Sequence, residues 1–142
     1  MAGISLEPYL FFKGNCREAM EFYKSVFGGE LQMSTVGESP EVPGMPNLNK
    51  DWIMHASLKG DVNLMASDTQ KASDKMAKVE LSLGGTDEDK MRKIFDGLST
   101  DGTVRMPLEK QFWGDVYGAV TDKFGVEWNM NIGDMGASQD NA

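Results

Sequence analysis

Hydrophobic and polar positions change period several times along this chain, and each change marks an element. Leu6 to Lys13 reads LEPYLFFK, an aromatic and aliphatic run that predicts a strand with Pro8 near its start or on an edge. From Cys16 to Val26 the rhythm lengthens. Apolar residues fall at Ala19, Met20, Phe22, Tyr23, Val26 and Phe27, the i, i+3, i+4, i+7 spacing of an amphipathic helix. Asn15 stands at its N-cap position, with Glu18 as the capping-box partner, and Gly28-Gly29 ends it. Glu30 to Val36 predicts a second strand. Gly37 to Asp51, with three prolines and two glycines, reads as a loop long enough for a lid or a subunit contact. Trp52 to Leu58 alternates as a strand, Gly60-Asp61 turns, and Val62 to Ser67 returns as another.

The same order then starts again. Lys78 to Leu83 (KVELSL) predicts a strand, Gly84-Gly85 a turn, and Asp87 to Leu98 a helix capped by Thr86, with Met91, Ile94, Phe95 and Leu98 on its apolar stripe. Thr103 to Lys110, Val116 to Thr121 and Val126 to Ile132 are strand candidates. The expected organisation is one domain over residues 1–133. It comprises a module at about 5–68, a linker at 69–77 and a second module at 78–133, followed by a disordered tail at 134–142. Identity between the halves is slight; the repeat lies in the order of elements.

Composition narrows the partners. At 142 residues, 40% hydrophobic and 25% charged, the chain has the balance of one globular domain. Its 14 basic residues against 22 acidic ones, a net charge of -8, argue against nucleic acid or an anionic membrane as the main partner. A small anion held by one or two local cations stays compatible. Cys16 is the only cysteine, so no intramolecular disulfide is expected. Met1 to Tyr9 lacks the basic and apolar regions of a secretory signal, and no run nears the ~18 apolar residues of a membrane span. The expected location is the cytoplasm.

Three stretches carry a resemblance. YLFFKGNCREAMEFYKSVFGGE (Tyr9 to Glu30) resembles the opening strand–turn–helix of the glyoxalase/bleomycin-resistance, or vicinal-oxygen-chelate, superfamily. FWGDVYGAVTDKFGVEWNM (Phe112 to Met130) and LMASD (Leu64 to Asp68) resemble its PhnB-like branch. The likeness covers about residues 6–133. It implies an α+β fold of two βαβββ modules, their U-shaped mixed sheets set around a shared cavity, and a homodimer. It does not imply one activity, because the superfamily hosts isomerases, dioxygenases, lyases and simple drug binders. Some relatives carry a demethylubiquinone methyltransferase label, yet no Gly-rich strand–turn–helix suited to S-adenosylmethionine occurs here.

Within that fold, alternation divides the strands into two faces. Val79, Leu81 and Leu83 should pack on the helix, leaving Lys78, Glu80 and Ser82 toward the cavity. Val126, Trp128, Met130 and Ile132 leave Glu127, Asn129 and Asn131. The middle strands offer His55, Ser57, Asn63, Met65 and Ser67. Trp113, Tyr117 and Phe124 are available to stack on an aromatic ligand, though packing is the plainer role for at least two of them. Trp52 suits a pocket wall or a dimer contact equally.

Metal-dependent members of the superfamily use His and Glu from four strands. The resemblance puts those positions near Pro8, Met65, Lys78 and Asn129, poor donors for a hard or borderline cation, so the usual metal site is expected to be lost. His55, Glu80 and Glu127 form the alternative, a displaced site with the ligand chemistry of a catalytic divalent metal but no HxxxH or HxH spacing. The plainer reading has His55 hydrogen-bonded in the pocket and the glutamates paired with Lys78, Arg105 or solvent. Cys16, beside a helix N-terminus where a thiol pKa can drop, is a minor nucleophile candidate and more simply a half-buried cap residue.

The function expected is therefore binding of a small organic molecule, with no cofactor. His55, Ser57, Met65, Ser67, Glu80, Ser82, Trp113, Phe124, Glu127 and Asn129 are the candidate contacts. The alternatives are a metal-dependent lyase, isomerase or dioxygenase, and a sequestering protein without catalysis. Glu80 or Glu127, its pKa raised by burial, would be the acid–base group of an enzyme.

Overall fold

The computed structural model describes residues 3, 6–38, 49–70 and 79–133; the chain divides into two compact units, residues 1–73 and 74–142. Most of the loop expected at 37–51, the greater part of the linker, Lys78 and the tail lie outside the described residues. No helix among the described residues is long and apolar enough to cross a membrane.

In the first unit β1 (Tyr9–Phe12) leads to α1 (Cys16–Phe27), then β2 (Glu30–Thr35), β3 (Ile53–Lys59) and β4 (Leu64–Asp68). The sheet order is β1-β4-β3-β2, with β1 parallel to β4 and the other pairs antiparallel. Register aligns Leu10 with Ala66 and Ala66 with Ala56. These residues, with Phe12, Leu58 and Leu64, form the buried face against Ala19, Met20, Tyr23 and Phe27 of α1. The helical and strand periods thus meet on one layer of contact, each large apolar side chain contributing roughly 1.5–3 kcal/mol.

The capping box expected at Asn15 and Glu18 does not form. Asn15 makes no side-chain cap bond. The carboxylate of Asp68, at the end of β4, takes its place. Oδ1 accepts from the backbone N–H groups of Gly14 (2.8 Å) and Cys16 (3.0 Å), and Oδ2 from that of Ile53 (2.8 Å). Because β4 lies beside β1, a residue more than fifty positions away reaches the helix start and places a negative charge at its N-terminus. Trp52 packs its indole against the Gly14 turn.

The second unit repeats the plan with β5 (Leu81–Gly85), α2 (Glu88–Ser99), β6 (Thr103–Lys110), β7 (Val116–Thr121) and β8 (Glu127–Ile132) in the order β5-β8-β7-β6. β5 is parallel to β8. Its limits differ from the sequence reading. Gly84 and Gly85, expected to turn, pair with Asn131 and Ile132, so the ladder with β8 carries the strand through them. Val79 precedes the strand and is exposed rather than packed on the helix. Asp87, not Thr86, caps α2, its carboxylate accepting from the Lys90 N–H at 3.2 Å. Met91, Phe95 and Leu98 bury against Val120, Trp128, Met130 and Ile132 as the core of this unit. β6 is an edge strand with two register shifts, leaving Val104 and Met106 exposed.

Candidate functional site

Each sheet buries one face under its own helix and turns the other away, and chemistry-bearing side chains collect on the latter. In the first unit, register puts Tyr9 beside Met65, Met65 beside Ser57 and Phe11 beside Ser67 on this face. His55 shares it two residues along β3. The Tyr9 hydroxyl reaches His55 Nδ1 at 3.2 Å, and the two rings sit 5.8 Å apart. Phe11 adds a third ring, 5.0 Å from Tyr9. Ser67 is buried on the same face. The structure thus brings together His55, Ser57, Met65 and Ser67 as alternation suggested, and adds Tyr9 and Phe11.

In the second unit, Ser82 Oγ donates to Asn129 Oδ1 at 2.7 Å, as cross-strand partners on β5 and β8. Asn131, two residues further on, joins two neighbours. Its Oδ1 accepts from Trp113 Nε1 at 3.3 Å, and its Nδ2 donates to the buried Asp115 carboxylate at 2.9 Å. Trp113 and Tyr117 stack edge-to-face with centroids 6.2 Å apart. Asn131 and Asp115 were not among the candidate contacts, yet they orient Trp113. Glu127 is half-buried at the first residue of β8, opposite Thr121. Phe124 lies off the strands, in the β7–β8 turn, with the Lys123 ammonium 5.5 Å from its ring centroid.

Glu80 is held by Arg105, whose Nη2 lies 2.6 Å from its carboxylate and also donates to the Trp128 carbonyl at 3.0 Å. A metal bound through Glu80 would first have to break this pair. Among the described residues no three His, Cys, Asp or Glu side chains gather as a metal-binding group. Of the positions the resemblance assigns to metal ligands, Pro8 has no side-chain donor, Met65 offers a thioether, and Asn129 an amide oxygen already bonded to Ser82. That donor set does not fit a hard or borderline cation.

Cys16 is fully buried rather than half-buried. Burial pushes its thiol up to about 12, the nearby Asp68 carboxylate adds to the rise, and Arg17 opposes it. The thiol is therefore protonated at neutral pH, the reverse of what a nucleophile at a helix N-terminus requires. A cleft of about 730 Å³ also opens in the second unit between Glu88 and Arg92 of α2, Leu108 and Lys110 of β6, and the Trp113 turn. The Arg92 guanidinium there is engaged by Glu88 at 2.8 Å.

The stretches behind the resemblance prove to be architectural. Asp68 of LMASD fastens α1. Asp115 of FWGD holds Asn131. Asp122 of TDKFGVEW accepts from the N–H groups of Phe124 and Val126 and from the Trp128 indole.

Comparison with known proteins agrees with this geometry. The sequence model of the Glyoxalase/Bleomycin resistance protein/Dioxygenase superfamily matches residues 5–130. Protein YjdN of Escherichia coli (strain K12) is 32% identical over 140 residues, covering 89% of this chain and 94% of that protein. The crystal structure of protein PA1353 from Pseudomonas aeruginosa matches with a TM-score of 0.78 at 39% identity, over 92% of this chain and 98% of that one. A PhnB protein from Bacillus cereus shares the fold with a TM-score of 0.71 at 22% identity, over 92% and 100% of the two chains. With two βαβββ units in sequence and a family match spanning nearly all of both, this chain belongs to the glyoxalase/bleomycin resistance protein/dioxygenase superfamily.

Proposed function

We propose that the chain is a PhnB-like, homodimeric, cytoplasmic protein that binds a small organic molecule against the sheet faces turned away from its helices. The observation that carries this reading is the Ser82–Asn129 pair, hydrogen-bonded at 2.7 Å on an exposed sheet face beside the Trp113–Asn131–Asp115 chain. Amides and hydroxyls oriented in this way add little to a hydrophobic core. They are the placed polar groups that fix a ligand's orientation in a largely apolar site. With Glu80 committed to Arg105, the carboxylate left for acid–base work is Glu127. On the first unit the candidate contacts are His55, Ser57, Met65 and Ser67; on the second, Phe124 in the β7–β8 turn joins Ser82 and Asn129 as a candidate.

The test is a thermal-shift screen of small polar and aromatic metabolites, with sedimentation to establish the dimer. A ligand at 100 times its Kd should stabilise the native state by about 2.7 kcal/mol. Asn129→Ala and Ser82→Ala should each weaken that ligand about tenfold while melting near the wild-type temperature. Unchanged affinity in both variants would overturn the reading. Loss of turnover with retained binding in Glu127→Gln would identify an enzyme; equal turnover would remove Glu127 from the chemistry.

A further inference from the structure

The two units carry different chemistry on their open faces, and the difference points to a ligand class. The second unit presents amides, hydroxyls and the Glu80–Arg105 ion pair. The first presents rings. Tyr9 and Phe11 are 38% and 58% exposed, their centroids 5.0 Å apart and their planes tilted by 34°. His55 stands 5.8 Å from Tyr9 at a tilt of 41°. These spacings fall in the range of about 4.5–7 Å in which aromatic pairs attract, the geometry in which a further flat ring would gain from the cluster. Exposed rings grouped in this way offer a ligand apolar contact that singly scattered residues do not.

Two further features decide what that surface takes. The Tyr9 hydroxyl reaches across β4 to His55 Nδ1. With Nδ1 so engaged, Nε2 is the nitrogen left to give or accept one directed hydrogen bond. The middle of the face is also uncharged. Within the strands, alternation puts no carboxylate, lysine or arginine on it from Tyr9 across to Gln32 and Ser34, until Glu30 and Lys59, cross-strand partners at the far end. An ionic ligand lying over Tyr9, Met65 and Ser57 would therefore meet no counter-charge within these strands. We propose that the open face of the first unit recognises a flat, neutral aromatic molecule, stacked on Tyr9 and Phe11 and hydrogen-bonded to His55 Nε2. This rests on the small-molecule reading above and names the ligand's class.

Met65, beside Tyr9 on the same face, is the reporter. Its methyl carbon is followed by NMR in ¹³C-methyl-methionine protein, assigned from a Met65→Leu sample. The full chain is titrated with 2-naphthol and, separately, with its saturated counterpart 2-decalol. The Met65 methyl should move upfield with 2-naphthol, under the ring current, and saturate; 2-decalol should leave it in place. Tyr9→Leu and Phe11→Leu should each weaken 2-naphthol about 3- to 10-fold, the factor one aromatic contact commands. His55→Ala should weaken 2-naphthol but not naphthalene. Equal binding of 2-decalol, no effect of Phe11→Leu, or a Met65 signal that moves with protein concentration alone would each overturn the proposal, the last by assigning the face to a second copy of the chain. The two readings fail separately. Failure of 2-naphthol to bind, with other ligands still sensitive to Asn129→Ala, would sink the aromatic class and leave small-molecule binding intact. Binding of 2-naphthol that answers to Tyr9 and Phe11 but is indifferent to Ser82 and Asn129 would keep the aromatic class and remove the Ser82–Asn129 pair from the ligand site.

Discussion

Asp122 carries the β7–β8 turn, and its removal should cost more than any surface substitution. Oδ1 accepts from the Phe124 N–H (2.9 Å) and the Val126 N–H (3.0 Å), while Oδ2 accepts from the Trp128 indole N–H (2.8 Å). Asp122 is 3% exposed and Trp128 1%. Alanine removes all of these charge-assisted bonds and strands the indole N–H in the core. A hydrogen bond to a charged group is worth about 1.5–3 kcal/mol net. Phe124 is near enough to solvent to recover part of its loss, so two bonds at full value give roughly 3–6 kcal/mol for Asp122→Ala. Asparagine keeps the shape but has one oxygen. Either its amide faces the indole N–H or it faces the two backbone N–H groups, a donor against donors in both cases, for a loss of about 1.5–3 kcal/mol. Urea unfolding followed by tryptophan fluorescence measures both, the midpoint moving while the m value holds. The Asp122→Ala/Trp128→Phe double variant should lose less than the sum of its singles, by about 1 kcal/mol or more. A loss under 1 kcal/mol for Asp122→Ala would show that the turn stands without its carboxylate and would refute the reasoning.

Asp68→Ala should lose about 2–4 kcal/mol and speed hydrogen exchange at Gly14, Cys16 and Ile53 together, because one carboxylate holds all three amides; exchange raised at Gly14 alone would contradict this. Cys16 should resist iodoacetamide at pH 8 in the native state and react fully in urea. Its thiol is raised from an ordinary 9.0 to about 12 in the folded state, so it contributes stability below pH 9 that fades as pH climbs toward 12. Wild type should therefore weaken more steeply than Cys16→Ala across that window, and parallel pH profiles would remove the thiol from the account. Gly29, at φ 97°, would bring an added Cβ to 2.6 Å from the Lys59 carbonyl oxygen, whereas Gly28, at φ 73°, would meet open space. Calorimetry should find Gly29→Ala worse than Gly28→Ala by about 1–3 kcal/mol, the difference between strain with a clash and strain alone.

The order of elements was legible because it rests on periodicity, which is local. The stripe of Ala19, Met20, Tyr23 and Phe27 and the alternation of Trp128, Met130 and Ile132 announce a helix and a strand whatever surrounds them. The second reading of strand, helix and three strands therefore emerged without identity between the halves. The Asn129, Ser82 and Met65 positions followed from the same alternation. Strand β1 shows where this fails. YLFF is apolar throughout, so a period of two leaves no trace, and the open Tyr9 and Phe11 look the same in sequence as the buried Leu10 and Phe12.

What the chain alone determines is what neighbours along it decide: which segments curl, which extend, and that the only cysteine opens a helix. Tertiary structure decides everything that crosses strands. It set Asp68 over Asn15 as the cap of α1, since an adjacent parallel strand delivers a charged oxygen where the local side chain does not reach. It committed Glu80 to Arg105, and it reversed the expectation for Cys16. A helix N-terminus favours a thiolate, but complete burial disfavours any charge more strongly, and burial is a property of the fold rather than of the residue's place in the chain.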